Sequence, residues 1–273
     1  MAHSLKNSSR DDDHISKNCD DDLQKRNVTD GVYFGFEQVD SNTKASKVQK
    51  VFSDVATQYD LMNDIMSFGL HRAWKNEFIS LIPAKRGKVL LDLAGGTGDI
   101  ACRFLDKGGA RAVVCDSNLD MLQVGRRRCI DSGLHYKSIN WAHGSGESLP
   151  FNDNTFDCCT ISFGIRNFTD INAALLEVHR VLKPCGMFLC LEFSHIKNEV
   201  LNDIYNFYSF KVIPKIGKVI TGHSEHYKYL VESIRKFPKA NRFARMVESA
   251  GFTSVNYKKL CFGVVAIHYG YKI

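Results

Sequence analysis

Residues 88–102, KVLLDLAGGTGDIAC, change character twice within fifteen positions. Val89, Leu90, Leu91 and Leu93 form an apolar run with one charge inside it, Asp92, the pattern of a buried strand. The run breaks at Ala94-Gly95-Gly96-Thr97-Gly98 and restarts at Asp99 with helical character. A buried strand, a glycine turn and a helix N-terminus together form a ligand cradle at the carboxyl end of a parallel sheet. The glycines let the backbone approach a ligand with no Cβ in the way.

Charge selects the ligand. Gly96-Thr97-Gly98-Asp99-Ile100-Ala101 fits the loose dinucleotide pattern G-x-G-x-x-G/A. A pyrophosphate, however, requires a helix N-terminus free of negative charge. Asp92 and Asp99 flank this loop. Two carboxylates repel a phosphate and suit a ligand with a cationic amine and no phosphate, such as S-adenosylmethionine. No lysine follows the loop, which excludes a P-loop. Further on, Ala112-Val113-Val114-Cys115 reads as a second buried strand ending in Asp116. It follows the glycines by roughly the 20 residues expected of an acidic side chain that accepts from ribose hydroxyls. Asp116 therefore reads either as a nucleoside ligand or as the cap of a helix over Leu119–Cys129.

The alternation continues outward from this core. Strands are expected at Lys88–Leu93, Arg111–Cys115, Ile139–His143, Phe156–Phe163 and Met187–Phe193, with helices at Asp99–Lys107, Leu119–Cys129 and Ile171–Leu182. This order predicts a parallel sheet with helices on both faces. Ser254–Cys261 and Val264–Tyr271 are β-rich and joined by Phe262-Gly263, so they form a hairpin that must place one strand antiparallel. The predicted fold is α/β: the class I S-adenosylmethionine-dependent methyltransferase architecture, a mostly parallel seven-stranded sheet closed by a C-terminal antiparallel hairpin and carrying a helical insertion.

The chain has 273 residues, of which 44% are hydrophobic and 24% charged, the balance of a soluble protein. No apolar run approaches the ~18 residues of a membrane span. Nine cysteines, an odd number without a C-x-x-C pair, fit reduced thiols and no zinc site. Residues 1–40 are polar and aperiodic and read as a disordered tail. Their acidic runs Asp11–Asp13 and Asp20–Asp22 argue against a mitochondrial presequence and favour a bacterial cytoplasmic location. Residues 41–273 read as one domain: an N-terminal helical lid over 41–84, a cofactor-binding core over 85–198, a helical insertion over 199–250 and the hairpin over 251–273.

Within the lid segment, Val48, Val51, Phe52, Val55 and Tyr59 lie on one helical face. The stretch from Tyr59 to Trp74, dense in Tyr, Asn, His and Trp, fits a lid over a ring-shaped substrate as well as it fits core packing. The insertion combines Tyr205, Phe207, Phe210, Ile213 and Ile216 with Lys211, Lys215, Lys218, Lys228, Arg235, Lys236 and Lys239. That composition suits an anionic membrane surface or a greasy substrate, and equally a subdomain with its own core and a solvated basic face. The net charge of +6 with no basic-aromatic RNA module gives no case for nucleic acid. His223 and His226 lack further ligands for a metal.

From about Tyr33 to the C-terminus the chain resembles the UbiE family of quinone-biosynthesis C-methyltransferases. The residues that carry the resemblance are Tyr59-Asp60, Met62-Asn63, Ser67, His71 and Trp74; the loop from Asp92 to Asp99; Ile161-Ser162-Phe163-Gly164-Ile165-Arg166-Asn167; and, in the insertion, Phe207 to Gly217 with Tyr229 to Ile234. It departs at Cys185, where the family has Gly, and at Ser145, where relatives carry Asn.

The resemblance implies S-adenosylmethionine as cofactor, lined by Asp92, Gly95, Gly96, Thr97, Gly98, Asp116, Ser145, Gly146 and Ser162. It also implies methyl transfer to a ring carbon of a polyprenyl benzoquinol or demethylmenaquinol. The electrophile is cationic, so the ring must be made electron-rich by deprotonation. Arg166 and Asn167 follow the fourth strand, at the edge where such sheets place their sites, as stabiliser of a phenolate and as orienter of the ring. Tyr59, Asp60 and His71 are base or orienting candidates. Asp157, early in its strand, reads as structural. An O- or N-methyltransferase of a small acceptor, a silent subunit of a quinone-synthesis complex and a NAD-dependent dehydrogenase are the competing readings.

Overall fold

The structure is a computed structural model that describes residues 31–82, 87–135, 137–196 and 224–273. A short hairpin, β1 (Tyr33–Phe34) and β2 (Glu37–Gln38), opens it. Helices α1 (Ser41–Val55), α2 (Tyr59–Ser67) and α3 (His71–Ser80) follow. The chain then alternates: β3 (Val89–Leu93), α4 (Asp99–Asp106), β4 (Arg111–Asp116), α5 (Leu119–Ser132), β5 (Ile139–His143), β6 (Phe156–Ser162), α6 (Ile171–Val181) and β7 (Leu182–Phe193). After residues 197–223 come α7 (Ser224–Lys236), α8 (Ala240–Ser249), β8 (Thr253–Leu260) and β9 (Val265–Tyr271).

Seven strands form one sheet in the order β5-β4-β3-β6-β7-β9-β8. All pairs from β5 to β7 are parallel, and β9 runs antiparallel to both β7 and β8. The strand order reverses between β3 and β6, and that switch point is where open α/β sheets bind ligands. Side chains of period two feed two cores. Leu90, Ala112, Val114, Leu189 and Ile267 belong to one. Leu91, Leu93, Ile161, Phe188 and Cys190 belong to the other, on the opposite face. Three of the helices, α1, α5 and α6, carry side-chain N-caps. Asp40 accepts from Thr43 N at 2.9 Å, Asn118 from Met121 N at 3.0 Å, and Asp170 from Asn172 N and Ala173 N at 2.9 and 3.0 Å.

Two of the expected segment assignments, the tail and the insertion, differ from the structure. Residues 33–38, expected in the aperiodic tail, form the β1–β2 hairpin, and Phe34 stacks on Tyr229 of α7. A two-residue strand leaves too short a pattern to be read as one. Helix α8, expected inside the insertion, packs on the sheet: Phe243 and Val247 are buried in the core that contains Phe188 and Phe252. Most of the aromatic and basic residues expected to give the insertion its character (Tyr205 to Lys218) lie outside the described residues.

β7 starts five residues earlier than expected, because Leu182 pairs with Phe156 before a bulge at Pro184-Cys185-Gly186. Cys185 sits there at φ +62°, a left-handed conformation that favours glycine. Asp157 is structural as expected: it bridges Lys88 and Lys183 and accepts from Val89 N at 2.9 Å.

Candidate active site

The turn after β3 is shaped by close approach. Gly96 and Gly98 have φ of +53° and +79°. A Cβ on Gly95 would lie 2.9 Å from the Asp92 carboxyl, and one on Gly98 2.7 Å from the Trp141 ring. Asp92 is buried beneath the turn, 1% exposed, and accepts from Thr160 Oγ1 at 3.0 Å and Ala101 N at 3.2 Å. Burial pushes its carboxyl up to about 7. Asp99 is paired with Lys75 Nζ and Arg103 Nε, each at 2.8 Å. Burial pushes the Asp99 carboxyl up, but these two cations overcome it and hold it below the usual range.

Asp92 and Asp99, expected to set the charge at the ligand, therefore do not do so. Asp92 sits under the loop at a raised pKa, and Asp99 is neutralised by Lys75, 24 residues away, and by Arg103, one turn along its own helix. The carboxylate that faces the ligand space is Asp116. Its Oδ2 accepts from Gly96 N at 2.9 Å and its Oδ1 from Asn118 N at 2.8 Å. The sequence left Asp116 between nucleoside ligand and helix cap. The cap of α5 is Asn118, and Asp116 lines the cleft.

That cleft lies between the carboxyl ends of β3, β4 and β6 and the helix α1. Val48, Gln49, Phe52 and Tyr59 line one side, and Ala94, Gly96, Asp116, Phe163, Gly164 and Asn167 the other. Helix α1 is tied down across it. Gln49 Nε2 donates to Ser117 O at 2.7 Å, and Asn118 Nδ2 donates to Gln49 O, Gln49 Oε1 and Ser53 Oγ, each at 3.0 Å. Lys44 Nζ donates to Phe168 O at 2.5 Å. Gly164 meets the glycine turn directly, since a Cβ there would fall 2.6 Å from Ala94 Cβ.

The predicted cofactor residues divide. Gly96, Asp116, Ser145 and Gly146 line the cleft and its extension toward Asp170. Ser145 bonds the Glu147 carboxylate. Gly146 faces Phe168, where a Cβ would lie 2.8 Å from the ring. Asp92, Gly95 and Gly98 shape the turn. Ser162 keeps a buried Oγ with no hydrogen-bond partner. Thr97 lines a different depression behind the loop, with Asp60 and His71.

The predicted catalytic residues divide as well. Tyr59 and Asn167 line the cleft. Asp60 pairs with Arg128 at 2.7 Å, and His71 with Asp64 at 2.9 Å, on the far side. A helix turns by roughly 100° per residue, so adjacent Tyr59 and Asp60 cannot share a face. Trp74 packs in the core against Phe163 and Phe193. Of the segment expected to form a lid, Val48, Gln49, Phe52 and Tyr59 line this cleft, while Trp74 is core packing.

Arg166 is buried in the turn Ile165–Asn167, and its Nη1 donates to Phe163 O at 2.6 Å and Glu192 Oε1 at 2.8 Å. Asn167 Oδ1 accepts from Tyr229 OH at 2.8 Å. The sequence reading did not single out Glu192, Gln49 or Lys44. Glu192 carried a signal, as the one charge in the run Met187–Phe193. Gln49 and Lys44 carried none. His226 bonds Asp54 at 2.9 Å, and His223 lies outside the described residues.

The glycine cradle, the Asp116 carboxylate and the unpartnered Ser162 hydroxyl fit an adenosyl ligand without phosphate. Together with the sheet order they define a class I S-adenosylmethionine-dependent methyltransferase. Solved structures agree on the fold. A putative methyltransferase in complex with the Trm112 activator of Haloferax volcanii superposes with a TM-score of 0.61 at 16% identity, over 82% of this chain and 96% of that one. A SAM-dependent methyltransferase of Aquifex aeolicus gives 0.51 at 15% identity, over 73% and 89%.

Sequence relatives are nearer. Residues 40–272 match the model of the ubiE/COQ5 methyltransferase family, and the chain belongs to that family. It is 51% identical over 245 residues to the ubiquinone/menaquinone biosynthesis C-methyltransferase UbiE of Rickettsia bellii, covering 88% of this chain and 98% of the relative. It is 47% identical over 277 residues to the mitochondrial 2-methoxy-6-polyprenyl-1,4-benzoquinol methylase of Mus musculus, covering 89% and 84%.

Proposed function

We propose that this enzyme methylates a ring carbon of a polyprenyl benzoquinol, a demethylmenaquinol or both, with Arg166, Asn167 and Tyr59 acting on the acceptor. The observation that carries the reading is the convergence of Tyr59, Asp116 and Asn167 on one cleft, with the Arg166 cation buried beside it.

Bound S-adenosylmethionine supplies an electrophilic sulfonium methyl. A phenol ionises near ~10, so at neutral pH the chain must favour the phenolate. The Arg166 guanidinium does this electrostatically. Burial pushes the Tyr59 phenol up, which keeps it protonated, so Tyr59 acts as a hydrogen-bond donor and not as a base. Asn167, held by Tyr229, orients the ring. Opposite charges cancel during the transfer, so the water-excluding walls Val48, Phe52, Phe163 and Phe168 favour it. The ring carbon takes the methyl, and the hydrogen it carried leaves as a proton when aromaticity returns.

A second groove adjoins Arg166 and mixes the aromatic rings of Tyr33, Tyr229 and Phe237 with the cations Lys44, Lys236 and Arg242. Among the described residues no helix is long and apolar enough to cross a membrane. Peripheral contact is read from the basic insertion. Sedimentation with anionic vesicles tests it, and protein that stays in the supernatant at low salt refutes it.

The decisive experiment gives the purified protein labelled S-adenosylmethionine and a reduced prenylated benzoquinol or demethylmenaquinol. Label on a ring carbon, lost with Arg166→Ala or with oxidised acceptor, is the expected result. Label on oxygen would replace the reaction class.

A further inference from the structure

Glu192 is a charge in an apolar strand. It lies on β7, next to β6, and is 1% exposed. Its carboxylate meets donors alone: Oε1 accepts from Arg166 Nη1 and Phe193 N, each at 2.8 Å, and Oε2 from Arg166 N at 3.5 Å. Glu192 thus grips both the side chain and the backbone of Arg166. Burying both charges costs about as much as their attraction returns, so stability alone is a poor reason for such a pair.

The other titratable groups facing Arg166 are Tyr59 from α2, Tyr229 from α7 and Cys190 from β7. Burial pushes all three up, so they are neutral near pH 7; it pushes the Glu192 carboxyl up as well, against the pull of the Arg166 guanidinium 2.8 Å away, and that ion pair makes Glu192 the anion of the group. The Arg166 Nε is buried without a partner, while Nη1 is held by Phe163 O and Glu192.

We infer that Glu192 is a positioning residue for methyl transfer: it fixes the Arg166 guanidinium and tempers its charge, so that a docked quinol ionises without becoming a poor nucleophile. The inference rests on the proposed role of Arg166 toward the acceptor. A phenolate discharges as the methyl arrives. A cation beside it therefore stabilises the starting state more than the transition state, and too strong a cation raises the barrier. A carboxylate behind the guanidinium limits that excess.

The test uses 4-methoxyphenol, a redox-stable quinol mimic, bound to protein saturated with S-adenosylhomocysteine. Its ionisation is followed by ultraviolet absorbance. The parent protein lowers the phenol pKa below its free value. Glu192→Gln lowers it further, by about one pH unit, because an opposing charge is gone. In quinol methylation the same variant loses about tenfold in kcat on the alkaline plateau, with KM little changed. Glu192→Asp keeps the charge and shifts the geometry, so it leaves the phenol pKa at the parent value while kcat falls.

A Gln variant that binds cofactor normally and leaves the phenol pKa unshifted overturns the inference. If the Gln variant does not fold, the Asp variant decides: a shifted phenol pKa overturns the inference, and an unshifted one with reduced kcat supports it. A parent protein that leaves the phenol at its free pKa refutes the role of Arg166 itself, which separates failure of that reading from failure of the inference.

Discussion

The Tyr229 hydroxyl donates to Asn167 Oδ1 at 2.8 Å while the Tyr229 ring stacks on Phe34, 4.1 Å between centroids and 9° between planes. One residue of α7 thus links the N-terminal hairpin to the turn that carries Arg166. Phe34→Ala should cost about 1–2 kcal/mol, the worth of a stacked aromatic pair with its buried area. Tyr229→Phe keeps the stack and removes the hydrogen bond, for about 1 kcal/mol. Both should lower kcat for methyl transfer and leave cofactor affinity unchanged. Urea unfolding and calorimetric titration with S-adenosylhomocysteine check this; a loss of cofactor affinity would contradict it.

Gly164→Ala should damage the cofactor site from outside the glycine turn. The added methyl would stand 2.6 Å from Ala94 Cβ, at a point where Ala94 already has φ +50°. Overpacking of this kind costs about 1–3 kcal/mol, and the turn holding Gly95 and Gly96 must yield. Cofactor Kd should rise at least tenfold, read by calorimetry on the folded variant.

Asp92 gives stability a specific pH dependence. Its carboxyl is held at about 7 when folded, against an ordinary 3.8. Between those values the folded state binds more protons than the unfolded one, so this contribution is complete below pH 3.8 and is lost as pH rises through 7. Its full size is about 4 kcal/mol by linkage. His268, held down to about 4 by burial, acts with the opposite sign: its contribution is lost as pH falls from 6.5. The difference between Asp92→Asn and the parent isolates Asp92. Asparagine can still bond Thr160 and Ala101, and its advantage in urea midpoint should grow steadily from pH 4 to pH 7. A constant difference would refute the raised pKa.

Cys185→Gly should stabilise the protein. The residue sits at φ +62° between Cys185 N→Lys272 O at 2.8 Å and Lys272 N→Gly186 O at 3.0 Å, so the turn cannot relax without breaking the sheet end. The left-handed conformation costs an L-residue about 1–2 kcal/mol, partly offset by the extra unfolded-state freedom of glycine. A net gain of about 0.5–1 kcal/mol should appear in thermal or urea unfolding.

The strands and the glycine turn were legible because local pattern dictates them. A buried parallel strand must be apolar along its length, and a turn that brings backbone to ligand must be built of glycine. Val89–Leu93, Ile139–His143 and the closing hairpin were therefore readable from residue order alone, and so was the cradle before Asp99. Asp116 was legible for the same reason, as an acid at a strand end a set distance from the turn.

The electrostatics were decided only by tertiary contacts. Asp99 looked like a free charge until Lys75, on α3, reached it, and Asp92 looked like a charge presented to the ligand until the turn folded over it. Adjacent Tyr59 and Asp60 went to opposite sides of the glycine turn because helix rotation separates neighbours. Glu192 met Arg166 because β6 and β7 pair side by side, bringing together residues 26 apart in the chain. Charge and burial are properties of neighbourhood. Sequence fixes which groups exist and how the backbone runs, and only packing decides which of those groups face each other, water or the ligand.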